Sequence, residues 1–200
     1  EFDTNSRAIF THMTGVKGLD MSGSWPFDFK SLYGVKVPFS QSTLHHVFEN
    51  GWFWVIPFSE KSDMTSVGLV LNRSRYSPRF KSPEKEFASY VKKFPTIQKQ
   101  FENAKPVQRW VSTGRLQYSS ERIFGDRFAL SANSAAFIDP LYSSGLHLAT
   151  IMVDLLAEEL LSAIKDNDFD THRFQHIEDT MKASFTHYDE MISSSFSSFP

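Results

Sequence analysis

Residues 43–58 read Thr-Leu-His-His-Val-Phe-Glu-Asn-Gly-Trp-Phe-Trp-Val-Ile-Pro-Phe, from Thr43 to Phe58. Two runs rich in β-branched and aromatic residues flank Asn50-Gly51, a pair that readily takes the positive φ angles of a two-residue turn. The stretch therefore predicts a hairpin, Thr43–Glu49 against Trp52–Phe58. Side chains alternate across a strand, so Trp52, Trp54 and Ile56 share one face, while Phe53 and Val55 take the other. The same alternation sends the adjacent His45 and His46 to opposite faces, where they read as ordinary strand histidines and not as a pair.

Working outward, Thr65–Asn72 (TSVGLVLN) predicts a third strand, and Gln108–Ser119 and Arg127–Ala132 predict two more. Between them lies a helical insertion near 82–105. Ser82 can cap it, Pro83 suits its first turn, and Glu84 and Glu86 favour the positive end of its dipole. Phe87, Tyr90, Val91 and Phe94 form its stripe, and Ile97, Phe101 and Ala104 continue at helical spacing past Pro95. The last third is helical. Leu146, Ala149, Val153, Leu156, Leu160 and Ile164 recur every three or four residues, and Phe174, Ile177, Met181, Phe185, Tyr188 and Met191 mark a second long helix. Strands first and helices last make the fold class α+β.

Composition sets the outer limits. With 21 Lys+Arg against 23 Asp+Glu, the net charge is −2, so the basic footprint that phosphate binding needs is missing and nucleic acid is not a partner. The 40% hydrophobic and 22% charged residues describe an ordinary globular chain, whereas 15% aromatic is high. Zero cysteines exclude disulfides, thiolate zinc sites and a cysteine nucleophile, and fit a cytoplasmic protein. The most apolar stretch, 146–164, carries Asp154, Glu158 and Glu159, so no membrane span is expected. The first residues, EFDTNSRAIF, have neither a starting Met nor a signal-peptide layout, and the chain reads as the later portion of something longer.

Several chemical signals are weak. His172 and His176 stand four apart on the last helix, but Arg-Phe-Gln lies between them and no third ligand is evident, so they read as a solvated face and no metal site is assigned. There is no GxSxG elbow, no P-loop and no GxGxxG. The nine glycines never form even a GxG. A stronger signal runs from Gly125 to Leu146, where a strand enters a loop of small residues, Ser131-Ala132-Asn133-Ser134-Ala135-Ala136, then Phe137-Ile138-Asp139-Pro140-Leu141-Tyr142-Ser143-Ser144-Gly145. A helix is expected to open within two residues of Gly145. Asp139-Pro140 disfavours helix earlier, and Ser143 or Ser144 supplies the cap oxygen. Such a helix start offers free backbone N–H groups and the positive dipole end to an anion.

The two stretches together resemble flavin-dependent halogenases. Trp52-Phe53-Trp54-Val55-Ile56-Pro57 is similar to their WxWxIP signature, and Phe137-x-x-Pro140-x-x-Ser143-x-Gly145 to their FxxPxxSxG segment. The resemblance runs over about residues 8–190. It implies an antiparallel-rich, substrate-binding sheet over residues 1–119. A returning flavin-binding strand, loop and helix over 120–165 and a C-terminal helix over 166–200 then complete part of a glutathione-reductase-like FAD domain. It implies FAD as cofactor, supplied reduced by a transiently bound flavin reductase, with chloride or bromide and O2 as co-substrates. The product would be a halogenated small aromatic or carrier-bound ring, as in secondary metabolism. Asn133, Asp139, Pro140, Ser144, Gly145 and Leu146 would bind the cofactor, and Ser144 and Gly145 the halide. Trp52, Trp54, Ile56 and Pro57 would form the wall that separates substrate from flavin, disfavouring hydroxylation. The Gly-rich ADP-binding turn and the catalytic lysine of the family have no counterpart in this sequence, so the chain alone is expected to be inactive and to hold FAD weakly.

Two departures from the family pattern carry chemical weight. Ala132-Asn133 stands where the family has Gly-Asp, so a ribityl hydroxyl would meet an amide in place of a carboxylate. Tyr142 stands where tryptophan halogenases carry Glu, which points to a phenol, a pyrrole or a carrier-bound ring as substrate. A flavin-dependent hydroxylase or reductase of the same superfamily, and a flavin-free ligand-binding relative, are the competing readings.

Overall fold

The computed structural model describes residues 1–18, 42–59, 62–78 and 82–200. The described residues form two compact units, one made of 7–114 with the last two residues, the other of 1–6 with 115–198.

The 7–114 unit is built on an antiparallel-rich sheet. Its strands are β1 (Ser6–Thr14), β2 (Leu44–Phe48), β3 (Gly51–Ser59) and β4 (Ser62–Asn72), followed by the helices α1 (Pro83–Val91) and α2 (Pro95–Gln100) and the two-residue strands β5 (Lys105–Pro106) and β6 (Val111–Ser112). The sheet order is β2-β3-β4-β1-β5, with β6 also on β1. Phe53 and Val55 share one face, and that face is the core: Ile9, Met13, Phe48, Phe53, Val67, Leu69 and Leu71 pack against Phe87, Tyr90, Val91 and Ile97 of the helices. Ser82 accepts from the Lys85 N–H and Pro83 opens the first turn, as the sequence predicts. A buried ion pair, Arg7 to Glu86 at 2.6 Å, fastens β1 to α1.

Two expectations need correction in this unit. The hairpin loop is Glu49-Asn50 and not Asn50-Gly51. Asn50 takes φ 58°, while Gly51 already pairs with Phe48 and with Leu71. Gly51 is needed for space, because a Cβ there would lie 2.5 Å from the Phe48 ring. Residues 108–119 do not make one strand. Val111–Ser112 pairs with β1 and Tyr118–Ser119 with a strand of the other unit's loop, and the chain changes partner around Gly114.

The second unit contains β7 (Tyr118–Ser119), β8 (Phe124–Gly125), β9 (Phe128–Ala129), β10 (Ala136–Phe137) and two long helices, α3 (Ser144–Asp166) and α4 (Gln175–Ser198). Of the strand expected over 127–132, only β9 exists, because Ala132 turns to φ 49° and starts a tight helical turn. Ile177, Met181, Phe185 and Ile192 of α4 are buried, and Glu178 accepts from the Ile123 and Phe124 N–H groups. The expected stripe of α3 is covered only in part, at half-buried Ala149 and Leu156. Leu146, Val153 and Ile164 are 75%, 60% and 63% exposed, whereas Leu148, Met152 and Ala163 are buried. Two apolar rows lie side by side on this helix, and spacing alone cannot say which one is covered.

Candidate functional site

Trp52 and Trp54 lie on one face of β3, with ring centroids 5.9 Å apart. They occupy the face opposite the helix-covered core. Trp52 is buried, with its Nε1 lacking a hydrogen-bond partner among the described residues, and His45 stands edge-on to it at 5.0 Å. Trp54 is half-buried. Its Nε1 donates to Ser66 Oγ at 3.1 Å, and its ring reaches Phe10 on β1 at 5.8 Å. Ile56 continues the row opposite Ser66, and Pro57 follows it along the strand opposite Thr65, both half-buried. His46 points to the other face and meets Gln100 at 2.9 Å. Burial lowers the pKa of both histidines, helped at His45 by neighbouring His46 and opposed at His46 by the Gln100 bond.

The second cluster of expected site residues is held wholly within the other unit. Asn133 sits exposed in the turn Ala132–Ser134, whose carbonyl is gripped by the Tyr118 hydroxyl. β10 pairs with β7, and Tyr118 stacks on Phe137. Asp139 is buried, with one carboxylate oxygen accepting from Ser6 Oγ and the other from the Leu141 N–H at 3.1 Å. Its side chain is thus turned into the protein, and it acts on the loop from inside. Pro140 then leads into the turn Leu141–Ser143, and α3 opens at Ser144, within the two residues of Gly145 that the sequence predicts.

The cap itself differs from expectation. Ser143 is the cap residue but stands at φ 54° and makes no side-chain cap bond, and Tyr142 before it stands at φ 62°. The cap serine thus sits in left-handed backbone, outside the extended geometry usual for a capping residue, and the leading N–H groups of α3 receive no bond from the Ser143 side chain. Gly145 leaves the approach open. A Cβ there would lie 3.2 Å from Asn133 Oδ1, tight enough that the Asn133 side chain would have to give by a few tenths of an ångström. Tyr142 is exposed and its hydroxyl meets Ser195 Oγ at 3.1 Å, tying the turn to α4. This set of amides, a glycine and one amide side chain suits the electron-rich edge of a flavin and a small anion beside it.

Sequence reasoning missed Ser6, Gln117 and Gly68. Ser6 and Gln117 hold the loop from far along the chain, and Gly68 makes room for Trp54. No local motif marks any of them. Among the described residues no three His, Cys, Asp or Glu side chains gather as a metal site, and no helix is long and apolar enough to cross a membrane. His172 and His176 are exposed on the outside of the second unit.

Both the tryptophan row and the Phe137–Gly145 loop lie inside the 24–198 stretch that matches the sequence profile described as tryptophan halogenase. The chain belongs to this family of flavin-dependent halogenases. It is 38% identical to the tetracycline 7-halogenase of Kitasatospora aureofaciens, across 98% of this chain and 35% of that relative. It is 39% identical to the monodechloroaminopyrrolnitrin halogenase PrnC of Pseudomonas fluorescens, across 99% of this chain and 34% of the relative. The halogenase PltM, solved with phloroglucinol and FAD, superimposes with a TM-score of 0.83 at 33% identity, across 98% of this chain and 39% of PltM. The chain therefore spans about a third of the length of the curated relatives it matches.

Proposed function

We propose that this chain is the substrate-side and flavin-edge portion of an FAD-dependent halogenase that acts on a phenol- or pyrrole-type ring. The observation that carries the reading is the join at Ser144: a helix start with no side-chain cap and with Gly145 beside Asn133, in a loop that resembles the family's flavin segment. Reduced FAD, O2 and chloride or bromide together supply an electrophilic halogen equivalent, hypochlorous acid in the case of chloride. The residues of this chain bind, orient and exclude. The amides of Ser144, Gly145 and Leu146 face the flavin's anionic edge, and those of Ser144 and Gly145 also hold the halide. Asn133 Oδ1 accepts from a ribityl hydroxyl, and Asp139 and Pro140 set the loop. Trp52, Trp54, Ile56 and Pro57 keep the aromatic substrate off the flavin.

Residues 1–119 serve the substrate sheet, 120–165 the flavin strand, loop and helix, and 166–200 the closing helix of a glutathione-reductase-like FAD domain. Relatives that chlorinate or brominate a pyrrole on a peptidyl-carrier protein support a carrier-bound ring as one substrate class. Relatives named for tetracycline and for monodechloroaminopyrrolnitrin, with no carrier protein in their names, support a free one. A transiently bound flavin reductase supplies the reduced cofactor, in the cytoplasm in keeping with the cysteine-free sequence. To test this, the whole protein is supplied with reduced FAD, O2 and chloride and offered a panel of phenols and pyrroles. A chlorine isotope pattern in the product supports the proposal. A product heavier by one oxygen would make it a hydroxylase, and unchanged substrate with no flavin bound would make it a flavin-free binding protein.

A further inference from the structure

The loop that delivers α3 is held by a buried polar chain of Ser6, Gln117 and Asp139, in which Ser6 lies 133 positions from Asp139 along the sequence. Ser6, Gln117 and Asp139 are 1%, 7% and 2% exposed. Gln117 Nε2 donates to Ser6 Oγ at 2.7 Å and to the Ile138 carbonyl at 2.6 Å, while its Oε1 accepts from the Ser6 N–H at 3.0 Å. Both N–H groups of the Gln117 amide and its oxygen are thereby engaged, which leaves the Ser6 proton to point elsewhere. Since Ser6 Oγ accepts from an N–H, its single proton is free only for Asp139, and the residue at 139 must be an acceptor there. The second carboxylate oxygen accepts from Leu141, the first residue of the turn that hands the chain to Ser144. Just beyond stand Tyr142 and Ser143, both in the left-handed region that costs an L residue energy. Backbone of this kind persists only where its surroundings over-determine it.

We propose that Ser6 and Gln117 are positioning residues for the flavin- and halide-facing end of α3. They orient the Asp139 carboxylate, the carboxylate pins Leu141, and the pin sets the direction in which the Ser144, Gly145 and Leu146 amides point. The proposal rests on the flavin-edge reading of that loop. Both side chains are buried and spend their bonds on each other, on Asp139 and on the Ile138 carbonyl.

The test uses the whole protein with Ser6→Ala, Ser6→Thr, Gln117→Leu and Gln117→Glu. Ser6→Ala and Gln117→Leu are expected to weaken FAD binding and raise the chloride KM about tenfold, in line with a buried hydrogen bond left unmade, while the KM of the aromatic substrate stays put. Ser6→Thr keeps the hydroxyl and restores both values. Gln117→Glu places a second carboxylate where donors are needed, so its FAD affinity recovers as the pH falls and the new carboxyl protonates. Amide hydrogen exchange at 141–146 accelerates in Ser6→Ala and not in Ser6→Thr. Lower melting temperatures with FAD affinity, chloride KM and exchange at 141–146 all unchanged would overturn the proposal. Should Gln117→Leu not fold, the Ser6→Ala and Ser6→Thr pair decides alone. If the unaltered protein binds no flavin, the flavin-edge reading fails by itself, and accelerated exchange in Ser6→Ala still reports whether the anchor holds the loop.

Discussion

The indole of Trp54 lies flat over Gly68, so close that a Cβ on Gly68 would sit 2.2 Å from the ring. The missing side chain on β4 lets Trp54 of β3 reach across to Phe10 of β1. Gly68→Ala is therefore an overpacking change on a rigid strand, expected to destabilise by about 1–3 kcal/mol. Trp54→Ala in the same chain removes the clash. A double-mutant cycle from urea unfolding should show the two changes to be strongly non-additive. Additive losses would mean that the ring can move aside without cost.

The two tryptophans differ in how they are held. Trp52→Ala empties a fully buried site and is expected to cost about 3–5 kcal/mol, whereas half-buried Trp54→Ala should cost about half as much. The phenylalanine substitutions separate shape from hydrogen bonding. Trp52→Phe loses volume only, since its Nε1 has no partner among the described residues, but Trp54→Phe also leaves Ser66 without its donor. Equilibrium unfolding of the four variants checks the order. A smaller loss for Trp52→Ala than for Trp54→Ala would contradict it.

Glu178 makes the second unit acid-sensitive. Burial pushes its carboxyl up, but the bonds from Lys182 and from the Phe124 and Ile123 N–H groups outweigh burial and hold it below the usual carboxylate range. A carboxyl depressed by folding stabilises the fold above its unfolded pKa, and that contribution is lost as pH falls through the lower, folded value. Melting temperature should therefore drop more steeply below about pH 4.5 in the parent than in Glu178→Gln. Parallel curves for the two proteins would show that the depressed carboxyl contributes nothing.

Flavin affinity tests Asn133. The 200-residue chain alone lacks the Gly-rich turn that lets backbone approach a pyrophosphate, so titrating it with micromolar FAD should leave flavin fluorescence nearly unchanged. In a chain of the relatives' length, Asn133→Asp should tighten FAD several-fold, because a charged acceptor makes the stronger hydrogen bond. Tight, stoichiometric binding by the 200 residues would overturn the first expectation. Weaker binding by Asn133→Asp would overturn the second.

What could be read from the sequence was local and periodic. The face shared by Trp52 and Trp54, the opposite faces of His45 and His46, the Ser82 cap and the start of α3 beside Gly145 all follow from spacing within a few residues. Ser143 failed as a cap because it sits in left-handed backbone, outside the extended geometry usual for a capping residue, and neither Tyr142 nor Ser143 advertises such a turn. Residues 108–119 failed as a strand because the two ends pair with different partners, which no alternation pattern reveals. Ser6 and Gln117 were invisible for the same reason. Their role exists only once the fold has brought them to Asp139.

The outward row of α3 has a practical consequence for handling the molecule. Leu146, Val153, Leu161 and Ile164 each show 60% or more of their area to solvent, a contiguous oily strip about five turns long. Expressed by itself, this stretch should scatter light increasingly as its concentration rises, and salts that strengthen hydrophobic burial should bring it out of solution sooner. Lysines at 161 and 164 would keep it monodisperse without disturbing the buried row of Leu148 and Met152, and that is the form in which its titrations and unfolding curves can be measured.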